Sequence, residues 1–180
     1  MNEQQMEQTV QLYGRDILRF CRITAGNTED GDELYQDTML TLLEKRNRLD
    51  PAWNIKSYAI SVALNLWKDR KRKIARRLRL VPQESLEDLS EQGIHPGDET
   101  ESPEEVLIRE NQIQMVRKMV AVLPEKYRLP VQLYYSADLG ISAIAEILNL
   151  PENTVKSRLH RAKEKIRRTL EELEYERSGI

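Results

Sequence analysis

Between residues 81 and 102 the chain loses its apolar rhythm. The segment carries Pro82, Gly93, Pro96 and Gly97, residue types that punctuate helices and strands alike. From Val81 to Glu105 there are nine acids and no Lys or Arg, so like charges repel and no apolar stripe rewards collapse. A segment of this kind reads as a linker. It divides the 180 residues into two stretches that must each bury a small core of their own. Hydrophobic residues are 39%, charged residues 32% and aromatics 6% of the chain, a balance that suits surface-rich helical domains better than a sandwich or barrel. The expected fold is all-α, with two small helical domains, residues 1–80 and 103–175, joined by the acidic linker 81–102.

Helical periodicity fills both stretches. Met6, Val10, Tyr13, Ile17 and Phe20 recur at spacings of four and three, one face of a first helix over residues 4–24. Ala25-Gly26-Asn27-Thr28 breaks it. A second helix then opens with Asp30, Asp32 and Glu33, where the helix dipole favours acids, and runs to about Lys45. Asp50-Pro51 marks a turn, and Asn54 is the expected N-cap of a third helix that buries Ile55, Tyr58, Val62 and Leu66. Beyond the linker, Ser102-Pro103-Glu104-Glu105 is a capping box with proline at the first helical position. Val106, Ile113, Val116, Val120 and Leu123 form the expected buried stripe of that helix. A further helix follows Leu123-Pro124-Glu125 and runs through Tyr135, and Pro130 should kink or shorten it. After Leu139-Gly140 come a short helix over Ser142–Leu148, the break Asn149-Leu150-Pro151, and a long last helix.

The formal net charge is only −2, but it hides blocks. Leu64–Leu80 holds eight Lys/Arg and one acid, and 153–168 holds seven Lys/Arg and one acid, Glu164. Either block alone reads equally well as a solvated face. In the last helix, however, Val155, Leu159, Ala162 and Ile166 share one side, while Asn153, Ser157, His160, Arg161 and Arg168 lie opposite. Helix, tight turn and helix in this order form a helix-turn-helix. Its second helix offers small hydrogen-bonding groups for base edges, bracketed by Lys156, Arg158, Arg161 and Lys163 for phosphates. In the other basic block, phosphate attraction accounts for Lys68, Arg70, Lys71, Arg72 and Lys73. Trp67 is either a core residue or a stacking surface for unpaired bases.

Several function classes lose their footing. One cysteine, Cys21, permits no internal disulfide and no CxxC metal site, and His95 and His160 lie far apart. Asp30, Asp32, Glu33 and Asp37 could in principle hold a metal for nuclease chemistry, but no second ligand cluster accompanies them. There is no Walker loop and no GxGxxG among the seven glycines. The expectation is no enzyme activity, no catalytic residue, no metal and no cofactor. MNEQQMEQTV lacks a basic segment followed by an apolar one, and the uncharged run Ser57–Trp67 is eleven residues, against the ~18 to 20 that span a bilayer. No membrane insertion is expected, and a reducing cytoplasm fits best.

The stretch "LPEKYRLPVQLYYSADLGISAIAEILNLPENTVKSRLHRAKEKIRR" closely resembles region 4 of bacterial sigma factors. "DGDELYQDT" followed by "SYAISVALNLWKDRKRK" resembles region 2. Together they resemble the extracytoplasmic-function (ECF) group of the sigma-70 family, which has only these two regions. The resemblance implies an alternative-type sigma factor that binds core RNA polymerase and directs promoter-specific initiation. It implies polymerase contacts at Asp32, Glu33, Gln36 and Asp37. Minus-10 recognition and melting fall on Trp53, Asn54, Lys56, Ser57, Asn65, Lys68, Arg70 and Arg72. Minus-35 recognition falls on Asn153, Thr154, Lys156, Ser157, Arg158, His160 and Arg161. Promoter DNA and core polymerase are the implied partners, and an anti-sigma factor is a further candidate, since the group commonly has one. Gly31 stands where the family often has alanine. The alternative is a stand-alone helix-turn-helix regulator that binds duplex DNA without polymerase.

Overall fold

The computed structural model describes residues 3–49, 54–79 and 113–177. Trp53, the linker 81–102, the Ser102–Glu105 capping box and Val106 lie outside them. Every regular element among the described residues is helical, and these residues pack into two compact units.

The first unit is carried by α1 (Glu3–Ala25), α2 (Thr28–Lys45) and α3 (Ile55–Arg79). Gly26 ends α1 at φ +85°, a left-handed conformation that glycine adopts without steric cost. Asn27 then caps α2, its Oδ1 accepting from the Asp30 amide at 2.8 Å. Asn54 caps α3 in the same way, accepting from the Ser57 amide at 3.0 Å. These side chains satisfy amides that the first helical turn leaves without partners.

Ile17, Phe20, Cys21, Leu34, Leu42, Ala59, Ile60 and Ala63 are fully buried between the three helices. Val10, expected in that core, is instead 40% exposed, and Thr9 is buried in its place. The Thr9 hydroxyl donates to the Gln5 carbonyl at 2.8 Å, which meets the polar group's need locally and lets the helix present its methyl inward. Helices α1 and α2 approach closely at Gly31. A Cβ there would stand 2.5 Å from Arg22 Cα and 2.9 Å from Arg22 N, so the crossing has no room for alanine. Burial pushes the Cys21 thiol up to about 12, leaving it an inert packing group.

The second unit is carried by α4, through residues 113–121, α5 (Glu125–Val131), α6 (Ile141–Leu148) and α7 (Glu152–Arg177). Leu123, Tyr127, Val131 and Ala162 form its core, with Val120, Leu159 and Ile166 packed against them. Val116, expected in the stripe of α4, is 45% exposed, and Met119 is buried instead. Pro130 lies inside α5, which ends one residue later and passes into a π-helical turn, Gln132–Ser136. Proline lacks the N–H that would bond four residues back, and its ring crowds that carbonyl, so the regular ladder stops there. The single helix expected through Tyr135 is thus two conformations in series.

Candidate nucleic-acid interface

The turn before α7 is built by Asn149, in the left-handed region at φ 51°, a conformation that asparagine tolerates better than most residues. It lets the Leu150 amide donate to the Ala145 carbonyl at 2.9 Å, closing α6, while the Pro151 carbonyl accepts from the Thr154 amide at 2.9 Å and opens α7. Val155 and Ala162 are fully buried and pin α7 to its unit. Asn153, Lys156, Ser157, His160 and Arg161 are exposed on the other side, and Thr154 and Arg158 are half-buried beside them. All seven expected minus-35 residues therefore lie along the first three turns of one helix.

Weak pairs along that face leave most of its charge available. Lys156 Nζ is 3.9 Å from Glu152 and His160 Nε2 is 3.7 Å from Glu164, and such exposed i,i+4 pairs contribute only a few tenths of a kcal/mol, about 0.3–0.5. Tyr127 of α5 lies behind the face. The Arg161 guanidinium, hydrogen-bonded to its phenol, and Lys126 beside it hold that phenol below its usual range. Lys126 and Lys165 ammonium groups stand 5.1 and 5.9 Å from its ring centroid. Tyr127 escaped the sequence reading because nothing local in LPEKYR marks it; its link to Arg161 exists only once α5 packs on α7.

In the first unit, every side chain from Lys71 to Arg77 is exposed, so α3 ends as a basic arm. Asn65 is exposed and Lys68 half-buried. Arg72 pairs with Asp69 at 2.9 Å, and the Lys71 ammonium lies 5.6 Å from the centre of the half-buried Trp67 ring. Among the other expected minus-10 residues, Lys56 Nζ meets Asp16 Oδ2 at 2.7 Å, and the Ser57 hydroxyl is buried without a hydrogen-bond partner among the described residues. Asn54 is exposed and spends its side-chain oxygen on the α3 cap.

The acids of α2 are also engaged. Arg22 grips Asp32 with Nε at 2.5 Å and Nη2 at 3.0 Å, and this pairing lowers the carboxyl's pKa and raises the guanidinium's. Arg70 reaches from α3 to Glu33 and Asp37, at 2.9 Å each. Gln36 is exposed between them. Among the described residues no group of three or more His, Cys, Asp or Glu is arranged to hold a metal ion.

Comparison with known proteins covers both units. Residues 9–90 match Sigma-70 region 2, and residues 113–166 match Sigma-70, region 4. The chain is 26% identical over 168 residues to the ECF RNA polymerase sigma factor SigW of Bacillus subtilis, covering 91% of this chain and 88% of SigW. It is 28% identical over 166 residues to the ECF RNA polymerase sigma factor SigM of Mycobacterium tuberculosis, covering 91% and 76%. In fold it is similar to the sigma factor RpoE of Bartonella quintana, solved with the anti-sigma factor NepR, at a TM-score of 0.73, 20% identity and coverage of 93% and 98%. It is likewise similar to CnrH, solved with the cytosolic domain of CnrY, at a TM-score of 0.65, 18% identity and coverage of 94% and 90%.

Proposed function

The chain belongs to the extracytoplasmic-function group of the sigma-70 family, factors that bind core RNA polymerase and direct transcription initiation, and on that premise we propose how its residues divide the work. Residues 1–80 bind polymerase through the α2 residues Asp32, Glu33, Gln36 and Asp37. They engage the minus-10 element through Asn65, Lys68, Arg70 and Arg72 of α3 together with the segment Trp53–Ser57. Residues 103–175 read the minus-35 element through Asn153, Thr154, Lys156, Ser157, Arg158, His160 and Arg161, and residues 81–102 connect the two.

The observation that carries this reading is the two-sidedness of α7. Its apolar side is buried while its hydrogen-bonding and cationic groups stand exposed, immediately after a tight turn and a short helix. That layout suits a helix laid in the major groove with its N-terminal residues toward base edges. A stand-alone helix-turn-helix regulator accounts for the second unit but leaves the region 2 match of residues 9–90 without a role.

The protein works by binding rather than catalysis, and its site of action is the cytoplasm, where polymerase and promoters meet. No helix among the described residues is long and apolar enough to cross a membrane. An anti-sigma factor is a further proposed partner, by analogy with the RpoE relative that was solved with one. The test is run-off transcription by purified core polymerase on a library of promoter fragments, with and without this protein. Discrete start sites that depend on the protein are expected; an identical transcript pattern in its absence would overturn the reading.

A further inference from the structure

Arg70 belongs by position to one binding surface and by its bonds to the other. Its Nη1 donates to Glu33 Oε2 and its Nη2 to Asp37 Oδ2, both at 2.9 Å, and Asp30 Oδ1 lies 4.0 Å from Nη1. The acids come from α2, 37 and 33 residues earlier in the chain. The Arg70 side chain is only 22% exposed, against 70% for Arg72 two residues on, while Glu33 and Asp37 remain 63% and 46% exposed. The carboxylates are thus open to a visitor, and the guanidinium that neutralises them is not.

We infer that Arg70 is an internal counter-ion shared by the two surfaces, neutralising Glu33 and Asp37 in the free protein and passing to promoter phosphate when a cationic surface of polymerase takes those acids. The inference rests on the reading of α2 as the polymerase face. A guanidinium binds carboxylate and phosphate with the same planar fork. Incoming Lys or Arg groups compete with it for the same carboxylate oxygens, and once displaced it needs another anion. DNA phosphate supplies one. Polymerase docking and DNA engagement then favour each other, and the coupling is reciprocal because it is a binding free energy.

The test measures the affinity of the full-length protein for core polymerase in the absence of DNA, for wild type, Arg70→Gln and Arg77→Gln. Arg77 is exposed farther along α3, so its replacement removes the same charge without touching the latch. Removing the internal competitor should tighten binding about two- to fivefold in Arg70→Gln, the scale of a partly exposed ion pair, and leave Arg77→Gln unchanged. In promoter open complexes, Arg70→Gln should lower the salt slope by up to about one unit. Equal or weaker core affinity in a helical Arg70→Gln protein would overturn the inference, as would equal tightening in Arg77→Gln. Should Arg70→Gln lose helicity, Arg70→Lys decides: it keeps the charge but cannot fork onto both acids, so tighter binding supports the latch and unchanged binding overturns it. A wild-type protein with no affinity for core polymerase would instead bring down the parent reading.

Discussion

At the crossing of α1 and α2 two neighbouring residues do opposite things. Gly31 contributes by what it lacks, since a Cβ would press on the Arg22 backbone at 2.5 Å. Backbone cannot swing aside as a side chain can, so Gly31→Ala should destabilise the first unit by about 1–3 kcal/mol, read as a lower thermal midpoint with unchanged helicity at 20 °C. An unchanged midpoint would mean that the helices separate freely there. Asp32 contributes by charge. Its carboxyl, held by the Arg22 fork, titrates below the ordinary value of 3.8. A carboxylate with a depressed folded pKa adds stability that is present above the unfolded value and is lost as pH falls through the folded one. Asp32→Asn should therefore lower the midpoint by a constant amount from pH 7 to pH 5, with the gap closing below pH 3.8. The pair is partly exposed, at 28% and 40%, which limits the effect to about 1 kcal/mol or less. A gap that widened toward acid would contradict the pairing.

Among the elements, α7 most cleanly separates tasks by face, and its cations should separate by experiment from its small polar groups. Lys163 and Arg168 are exposed on the helix beyond Arg161, and on the proposed reading they meet phosphates rather than base edges. Alanine at either should weaken all minus-35 sequences alike and lower the salt slope by up to about one unit per lost contact, measured by promoter binding of the polymerase complex across salt concentrations. A change in which sequence is preferred would assign them to readout instead. The elements also show where pattern reading succeeds. The faces of α7 were legible because Val155, Leu159, Ala162 and Ile166 repeat at the helical period with cations opposite. The cap Asn54 and the breaks at Ala25-Gly26-Asn27-Thr28 and at Asn149 follow from residue chemistry that acts over three or four positions. Val10 and Val116 misled because periodicity finds a stripe but not its edge, which the neighbouring helix sets. Pro130 was legible as an interruption, but not the π-helical turn by which the chain absorbs it.

In the whole molecule, one chain carries two basic surfaces on separate units, each backed by its own core. That much could be read from the charge blocks and the acidic segment between them. The internal engagement of residues in the first unit could not, because the pairs of Arg70 with Glu33 and Asp37 and of Lys56 with Asp16 join residues at least 33 positions apart and exist only after packing. The outward face of α7 is proposed to read base sequence rather than merely to attract DNA by its charge. The direct measurement is selection from a randomised minus-35 library by core polymerase carrying either the wild-type protein or a Ser157→Ala, His160→Ala double variant. Both residues are exposed, and neither belongs to the core, so the fold should survive their loss. The variant should select a different preferred sequence, with about 1–3 kcal/mol of discrimination lost per disrupted contact. The same preferred sequence from both proteins would contradict the proposed readout and leave the face a charge platform.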